Sequence, residues 1–511
     1  MDEDIRYRQV ADEIRQWWAT PRFKRIQRPY TAEDVAKLRG NLQLQTPSHF
    51  FSKKLWGMLV EAKEKKTFHH TFGALDPVQV VNLAKYLTTV YVSGWQCSST
   101  ASVTNEPGPD FADYPANTVP NKVDQLVRAL LFHDRKQNQA RSKMDQQTRS
   151  KTPKYDYLTP VIADADTGFG GLTSVMKLIK NMIDAGAAGI HMEDQRAGTK
   201  KCGHMGGKVL VATREHVARL TAVRLQADIM GCELNIVART DALSAKLIDN
   251  NVDPVDQPFI IGQIHPNDAS KQGTFVEAGE QAIKAKFSGS EQARKLEEWN
   301  VKAYEVGLED GRKLAASMGF DFYFDWEATR TYEGFYPIKG SVKLCVMRQK
   351  EFAKVADLLW METPTPTVKT AKEFADGIRK YHPDVFLAYN LSPSFNWDAA
   401  GMTDKEIEDF CVEIGKLGYV WQFITLAGFH ANALATEKFA KDFKKRHMIS
   451  YVQKIQRKEG KHGVDQLTHQ KWSGAELIDQ QQMLVSKNSA INSTNEASTE
   501  HQFANIGKPK L

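Results

Sequence analysis

Residues 161–194 read VIADADTGFGGLTSVMKLIKNMIDAGAAGIHMED, and this stretch sets the expected fold. A short apolar run at Val161–Asp166 ends in carboxylates, a helical pattern follows, and a second apolar run at Ala188–Asp194 again ends in carboxylates. Strand, helix and strand in this order are typical of a parallel βαβ unit. The stretch therefore predicts an α/β protein with polar side chains at its strand ends.

The same alternation continues in both directions along the chain. From about residue 70 onward, short apolar runs alternate with helical stretches. The runs are Thr71–Asp76, Val90–Gln96, Val161–Asp166, Ala188–Asp194, Ile236–Asp241, Leu358–Thr363, Phe386–Asn390 and Val420–Leu426. A doubly wound sheet would concentrate its chemistry at one or two loops, whereas polar residues here follow many strands. The pattern therefore favours a (β/α)8 TIM-type barrel.

The remaining segments are interpreted as additions to this barrel. We divide the chain into a helical N-terminal layer at 1–68, barrel segments at 69–262 and 329–430, a helical insertion at 263–328, C-terminal helices at 431–480 and a disordered tail at 481–511. The insertion is rich in Lys and Glu and contains one surplus strand candidate, Phe322–Trp326. The tail is rich in Ser, Asn and Thr and has little to bury.

Composition narrows the class of protein. The 511 residues, 41% of them apolar, are enough for a large core. The net charge is +6, but basic and acidic residues are interleaved, so a nucleic-acid-binding stripe is not expected. The sequence shows neither a membrane-length apolar run of roughly 18 to 20 residues nor an apolar segment after the acidic N-terminus. We therefore expect a soluble protein that is not secreted.

The five cysteines are widely separated and show no CxxC spacing. This distribution suits reduced thiols in an intracellular compartment rather than a disulfide framework or a structural zinc site.

Carboxylates at neighbouring strand ends suggest a metal site. Alternation along a strand would send Asp164 and Asp166 to the same face, where Glu193 and Asp110 could join them. Oxygen ligands with room for water suit Mg²⁺ or Mn²⁺ better than zinc. The alternative is that each acid caps a helix or pairs with an arginine.

Cys202 stands out among the cysteines because of its neighbours. Lys200, Lys201 and His204 flank it, and glycines follow, so a mobile loop carries a thiol in a cationic setting. Cationic neighbours favour the thiolate and lower the pKa of a cysteine, which predicts a reactive group. The alternative is a buried structural cysteine, the commoner role of a lone cysteine.

A further set of polar residues could hold substrate carboxylates. Arg239 at its strand end could clamp one carboxylate with two hydrogen bonds. Asn390, Ser392, Ser394 and Thr425 could hold a second carboxylate if they converge at the barrel mouth. Taken singly, such residues more often serve in turns or caps.

Several segments in the same order resemble one family. The segments are YVSGWQ at 91–96, KKCGHM at 200–205, ARTD at 238–241, YNLSPSFNW at 389–397 and QFITLAGFH at 422–430. Together they resemble isocitrate lyases, within the phosphoenolpyruvate mutase superfamily of barrels, over about residues 10 to 480. Residues 72–77 and 98–113 look most like the fungal branch.

The resemblance implies retro-aldol cleavage of isocitrate to succinate and glyoxylate, with Mg²⁺ or Mn²⁺ as cofactor. It implies that Asp164 binds the metal, with Asp110, Asp166 and Glu193 around its waters. It also implies that Tyr91 takes the C2 hydroxyl proton, while Cys202, beside His204, protonates the succinate aci-anion. The residues implied to bind substrate are Ser93, Gly94, Trp95, Gly203, His204, Arg239, Asn390, Leu391, Ser392, Pro393, Ser394 and Thr425. His191 and Glu362 are implied to contact these residues and hold them in position, without binding the substrate or the metal themselves.

Two other functions are held open. A 2-methylisocitrate lyase, which forms succinate and pyruvate, would share the barrel, metal and cysteine, and one methyl group is worth only about 1 to 3 kcal/mol. Trp95–Gln96 and residues 98–113 favour isocitrate. A non-catalytic scaffold would be expected to lose metal or thiol residues, and the matched positions retain them.

The resemblance also carries expectations about assembly and location. Isocitrate lyases are usually homotetramers that exchange C-terminal helices, and Phe439–Trp472 could serve that purpose. The chain ends Pro509–Lys510–Leu511, which resembles a peroxisomal address with Pro in place of Ser or Ala. We therefore expect a homo-oligomer, without nucleic-acid or membrane partners, located in the peroxisome, glyoxysome or cytoplasm.

Overall fold

The computed structural model describes residues 2–486, 491–494 and 499–503. Its centre is an eight-stranded parallel barrel. The strands are β1 (His69–Phe72), β2 (Val90–Val92), β3 (Val161–Asp164), β4 (Gly189–Glu193), β5 (Asn235–Thr240), β6 (Leu358–Met361), β7 (Phe386–Asn390) and β8 (Tyr419–Ile424). Strands that are consecutive in this series are paired, β1 pairs with β8, and a bridge between Gly73 and Tyr91 joins β1 to β2. The predicted barrel and its eight strands are confirmed.

Helices surround the barrel. Those that bury side chains against it are Pro77–Leu83, Gly94–Thr100, Thr118–Ser142, Leu172–Ala185, Thr213–Met230, Val342–Phe352, Val368–Arg379 and Asp404–Lys416. Gln146–Lys151 buries no residue, and Ala427–Arg446 buries only Gly428. Leu172–Ala185 illustrates such burial, because its buried residues Val175, Leu178, Ile179 and Met182 recur every three or four positions. The helix ends at Gly186, whose φ of 97° is a left-handed conformation that glycine adopts without strain.

Helices also form the N-terminal segment, at Glu3–Trp18, Ala32–Leu38 and Pro47–Glu64. The third helix buries Phe51, Leu55 and Leu59 in the main core, whereas the first two share a small apolar cluster. Among the described residues, no helix is both long and apolar enough to span a lipid bilayer.

The segment between β5 and β6 builds a separate lobe. Its helices are Phe275–Lys286, Gly289–Lys302 and Leu308–Ser317, and a hairpin pairs Ile261–Gln263 with Gln272–Thr274. The lobe has its own apolar core around Trp299, whose Nε1 donates to the Val276 carbonyl at 2.8 Å. A small sheet of Val209–Leu210, Leu247–Ile248 and Tyr336–Pro337 lies beside its base.

The surplus strand predicted at Phe322–Trp326 is wrong. Only Asp325 makes a bridge, to Gln263, while the aromatic side chains of Phe322, Phe324 and Trp326 pack on the lobe's core. The run is apolar because it covers this core, and not because it belongs to a sheet.

The C-terminal segment is helical beyond the predicted boundary. Its helices are Ala427–Arg446, Met448–Tyr451, Val452–Gln456, Arg457–His462, His469–Ser473 and Ala475–Ser486. The tail predicted from residue 481 is therefore helical to Ser486, and Asp479 accepts hydrogen bonds from Ser493 and Thr494. Residues 487–490, 495–498 and 504–511 lie outside the described residues, so the predicted disorder there and the terminal address stay predictions.

An ion cluster fastens the N-terminal segment to the floor of the barrel. The fully buried Asp357 precedes β6 and lies 2.6 Å from Arg22 Nη1 and 2.9 Å from Arg224 Nη2. It also accepts a hydrogen bond from the Ile236 amide at 2.9 Å. Burial acts to raise the pKa of Asp357, but the two guanidinium groups lower it well below its usual range. Asp357 is therefore an ionised junction between three segments.

We predict that Asp357→Ala lowers the free energy of unfolding by about 3 to 5 kcal/mol, because it leaves two buried guanidinium groups without their counter-ion. Urea unfolding followed by fluorescence measures the change. Asp376→Ala, which breaks an exposed pair with Lys372 on one helix, should cost no more than about 0.5 kcal/mol. Equal losses in the two variants would contradict the assigned role of Asp357.

Candidate active site

Acidic side chains from three segments meet at the C-terminal mouth of the barrel. Asp164 ends β3, Glu193 ends β4, Asp166 follows β3, and Asp110 lies in the loop after the short helix Gly94–Thr100. All four carboxylates are buried. The predicted metal-ligand set is therefore assembled in one place.

Lys200 enters the middle of this acidic cluster. Its Nζ lies 2.5 Å from Asp110 Oδ1, 2.8 Å from Asp166 Oδ1 and 3.6 Å from Glu193 Oε1. Burial alone would lower the pKa of Lys200, but these carboxylates raise it well above its usual value. One ammonium group thus faces several carboxylates, and the cluster keeps an excess of negative charge.

Asp166 reaches the cluster in a different way from the one predicted. Strand β3 ends at Asp164, and Asp166 has a φ of 47°, in the left-handed region that Asp tolerates better than most residues. Its amide donates to Asp164 Oδ1 at 2.9 Å, and the Tyr114 hydroxyl donates to its carboxylate. A turn, and not strand alternation, therefore brings the two acids together.

The cluster is suited to a divalent cation. Burial raises the pKa of Asp164, Asp166 and Glu193, and it raises the pKa of Asp110 to about 6. Both oxygens of Glu193 are buried and accept no hydrogen bond from the described residues. Buried carboxylate oxygens with unused acceptor capacity are the ligands that a hard cation such as Mg²⁺ prefers.

Tyr91 and His191 form a pair at the edge of the cluster. The Tyr91 hydroxyl lies 2.9 Å from His191 Nε2 and 3.5 Å from Asp164 Oδ2. Burial and the charge of Asp164 raise the pKa of Tyr91 well above its usual value, so it is a phenol. Burial lowers the pKa of His191 well below its usual value, so the ring is neutral. With Asp164 and Glu193, His191 also completes a group whose ligand atoms lie within 4.8 Å of one another.

The segment after β2 lines the same mouth. The Gly94 amide donates to Asp164 Oδ2 at 3.0 Å, and a Cβ there would lie 2.6 Å from Tyr114 Oη. Only glycine fits this approach. Ser93 caps the helix Gly94–Thr100 through its side-chain oxygen, and the Trp95 ring packs edge-on against Phe429 at 5.2 Å.

The environment of Cys202 differs from the prediction. Lys200 points into the acidic cluster, and Lys201 Nζ lies 4.5 Å above the Phe111 ring. Burial and the charge of Asp110 raise the pKa of Cys202, and this outweighs the lowering effect of Lys200 and Arg239. Cys202 is therefore a protonated thiol, and the predicted lowering of its pKa is wrong. Lys200 is engaged with carboxylates and Lys201 with an aromatic ring, which the sequence did not reveal.

Arg239 lies beneath the Cys202 loop. It forms two hydrogen bonds with Asp241, at 3.1 and 3.2 Å, stacks 4.6 Å from Trp360 and lies 3.4 Å from Glu193. A Cβ on Gly203 would lie 2.8 Å from Arg239 Nη2, so the loop closes directly over the guanidinium group. Arg239 thus lies against the Cys202 loop with two of its nitrogens on Asp241, and the two-bond clamp of a substrate carboxylate stays a prediction.

The remaining predicted substrate ligands surround Glu362. The Asn390 amide donates to this carboxylate at 3.2 Å, and His204 Nε2 lies 3.5 Å from it. His204 Nδ1 lies 3.3 Å from Ser392 Oγ, which also accepts from the Ser394 amide at 3.1 Å. This brings the segments around Cys202 and β7 together.

The other predicted ligands are less enclosed or less polar. Leu391 is buried, Pro393 is partly buried, Ser394 is exposed, and Thr425 is partly buried, with its carbonyl against Gly73.

Four residues of the site were missed by sequence reasoning: Tyr114, Gln195, Lys208 and Asp241 contact the cluster, the Cys202 loop or Arg239. Asp241 belongs to the segment ARTD and Lys208 ends the glycine-bearing loop, so both lie in segments that the sequence had already indicated. For Tyr114 and Gln195 the sequence carried no distinguishing signal.

Comparison with known proteins identifies the family. A family model described as the isocitrate lyase family matches residues 10–306 and 271–503. The chain belongs to the isocitrate lyase family. An isocitrate lyase of Oryza sativa subsp. japonica is 49% identical, covering 98% of this chain and 94% of the relative. An isocitrate lyase of Saccharomyces cerevisiae is 45% identical, with coverages of 98% and 96%.

A relative of comparable similarity bears the name of a different activity. A mitochondrial 2-methylisocitrate lyase of Hypocrea atroviridis is 43% identical, covering 98% of this chain and 95% of the relative. The difference from the yeast isocitrate lyase is small, so overall identity separates the two activities weakly.

We predict that the metal-depleted protein binds Mg²⁺ and that Asp164→Asn weakens this binding by at least about tenfold, because a carboxylate at the centre of the cluster is lost. Isothermal calorimetry measures the affinity. The affinity should also fall below about pH 6, where Asp110, with its pKa of about 6, gains a proton that competes with the metal. Asp184→Asn, on an exposed helix face, is the matched control. Unchanged affinity in Asp164→Asn would refute the assigned site.

Proposed function

We propose that this protein is a Mg²⁺-dependent carbon–carbon lyase that cleaves isocitrate to succinate and glyoxylate. The observation that carries the proposal is the position of Cys202: its loop closes over Arg239 at the same mouth that holds the acidic cluster. Membership of the isocitrate lyase family supports the choice of substrate.

The acidic cluster is proposed as the metal site. Asp164, Asp110, Asp166 and Glu193 would hold Mg²⁺, directly or through water. When bound, the ion would supply Lewis-acid stabilisation of the oxygen that becomes the glyoxylate carbonyl.

Tyr91 is proposed to take the C2 hydroxyl proton. As a buried phenol, it can do so only if its own proton moves to another group, and His191 Nε2 at 2.9 Å is placed to receive it. In the neutral tautomer that carries its proton on Nδ1, Nε2 has the lone pair that would accept this proton. The two residues would thus act as a relay.

Cys202 is proposed to protonate the carbanion that bond cleavage leaves on the succinate half. The raised pKa of Cys202 keeps the proton on the thiol, as a general acid requires. A nucleophilic cysteine would need the opposite shift. We therefore expect no covalent intermediate on Cys202.

Substrate carboxylates are proposed to bind between the loop and the strand ends. Arg239 and His204 supply positive or donor groups, and the amides and hydroxyls of Asn390 and Ser392 lie beside them. The other groups proposed to line this space are Ser93, Gly94, Trp95, Gly203, Leu391, Pro393, Ser394 and Thr425.

The second candidate is cleavage of 2-methylisocitrate, favoured by the 43% identical relative of that name. We predict a kcat/KM at least about tenfold higher for isocitrate, since one extra methyl in a fitted pocket is worth roughly 10- to 200-fold. Glyoxylate and pyruvate assays with both substrates, each with and without EDTA, measure the preference and the metal requirement together. A higher kcat/KM for 2-methylisocitrate would select the second candidate.

Cys202→Ser is the control for the chemistry in the same assay. It should lose at least about 100-fold in kcat, because a general acid contributes roughly 10²- to 10⁴-fold. Cys411→Ser, a partly buried cysteine away from the loop, should retain activity. Full glyoxylate production by Cys202→Ser would exclude Cys202 as the acid.

A homotetramer is proposed for the assembled enzyme. Within the helix Ala427–Arg446 only Gly428 is buried, and Leu434, Phe443, Met448 and Ile449 expose apolar surface nearby. Such a surface on a single chain indicates an interaction site.

We predict by light scattering a mass of four chains for the purified protein. Phe443→Glu combined with Ile449→Glu should lower this mass, because the charges would have to be buried in the interface. Tyr332→Glu, at an exposed aromatic of the segment between β5 and β6, is the matched control and should leave the mass unchanged. A single-chain mass for the unaltered protein would refute the proposal.

A further inference from the structure

Lys208 fastens the Cys202 loop, residues 195–208, to the barrel. Its side chain is buried, and its Nζ donates to the Gly203 carbonyl, to Asp241 Oδ1 at 2.7 Å and to Ser244 Oγ at 3.3 Å. Through Lys208, the backbone carbonyl of Gly203, which follows Cys202, is therefore linked to Asp241 and Ser244 beyond the end of β5.

Gln195 fastens the other side of the same cysteine. Its Oε1 accepts from the Lys201 amide at 2.9 Å, and its Nε2 donates to the Lys201 carbonyl at 2.9 Å and to Asp241 Oδ2 at 3.2 Å. The residues before and after Cys202 are thus both held by side chains that converge on Asp241.

Asp241 is also the partner of Arg239. Its two oxygens accept from Arg239 Nε at 3.1 Å and Nη2 at 3.2 Å. Its own amide donates to Asp194 Oδ1 at 2.9 Å, which fixes Asp241 to the end of β4. Burial acts to raise the pKa of Asp241, but Arg239 and Lys208 lower it well below its usual range, so the junction stays charged.

We propose that Lys208 and Gln195 are positioning residues that hold the Cys202 loop in register with Arg239 through their shared partner, Asp241. The inference deepens the proposed function and rests on it. The proton that Cys202 delivers must arrive where Arg239 places the substrate, and a displacement of about 1 Å can cost 100-fold in rate. The loop's glycines give it little stiffness of its own, as Gly207 with its φ of 75° illustrates.

The arrangement separates two effects that substitution can distinguish. Lys208 donates to the Gly203 carbonyl of the loop and to Asp241, whereas Asp241 accepts from Lys208, Gln195 and Arg239. Loss of Lys208 should therefore displace the Cys202 thiol and leave Arg239 in place. Loss of the Asp241 charge should disturb both.

The test compares Lys208→Met and Gln195→Met in the full-length protein with Lys246→Met, an exposed lysine near the end of β5. Steady-state kinetics with isocitrate and Mg²⁺ give kcat and KM. Peptide mass spectrometry gives the rate at which iodoacetamide alkylates Cys202 in the free enzyme. Thermal melting shows whether each variant is folded.

We predict that Lys208→Met lowers kcat by about 10- to 100-fold, because Cys202 is displaced. KM should stay within about threefold of the unaltered protein, because Asp241 still holds Arg239 in place. Cys202 should be alkylated at least about threefold faster in both loop variants, because the loop opens more often. Asp241→Asn should lower kcat and raise KM together. Lys246→Met should match the unaltered protein in every measurement.

Two outcomes would overturn the inference. One is unchanged kcat and unchanged alkylation in both loop variants. The other is a lower melting temperature with unchanged alkylation of Cys202, which would assign Lys208 and Gln195 to folding alone. If the unaltered protein forms no glyoxylate, the proposed function fails, and the alkylation rates still decide whether these residues hold the loop.

Discussion

Four buried carboxylates share one space at the mouth of the barrel, and the organisation of the site follows from that charge. Carboxylates removed from water are stable as anions only beside cations or strong donors. Lys200 supplies one such cation, Arg239 approaches Glu193, and the Gly94 amide and the Tyr114 hydroxyl contribute hydrogen bonds. The cluster therefore draws the loop after β4, the segment after β2 and the end of β5 toward one point.

A second charged junction lies beside the first. Asp241 joins Arg239 to Lys208, while Asp194 accepts from Thr240 and pairs with Arg348 at 2.9 Å. Arg348 in turn pairs with Asp256 near the base of the inserted lobe. Ion pairs and hydrogen bonds thus connect Asp256, near the base of the lobe, with the loop that carries Cys202. The excess negative charge lies on the metal side of the mouth, and the paired charges lie on the thiol side.

This separation explains how one mouth can serve two opposite tasks. A site that holds a divalent cation needs carboxylates with unused acceptor capacity, and Glu193 offers both oxygens. A group that donates a proton to a carbanion must keep that proton until it is needed, and burial near Asp110 keeps the Cys202 thiol protonated. The same acidic charge therefore suits both the proposed cation site and the proposed role of Cys202 as an acid.

Much of this could be predicted from the sequence, because strand ends in a parallel barrel meet at one face. The eight strands, Asp164, Glu193 and Arg239 followed from local patterns that repeat along the chain. The predictions failed where contacts between residues far apart in the sequence determine the partner or location of a side chain. Lys200 looks like a neighbour of Cys202 along the chain but pairs with Asp110 in space, and Phe322–Trp326 looks like a strand but covers a separate core.

The sequence by itself determined the strand–helix alternation, the identity of the acids and the thiol, and the family to which their motifs belong. Only the tertiary structure decided which charges neutralise one another, that Asp166 arrives through a left-handed turn, and that Lys208 and Gln195 meet on Asp241. The reason is physical: residue types and their spacing are local properties, whereas the pKa of a buried group and the position of a loop depend on partners that the folded chain brings from distant segments.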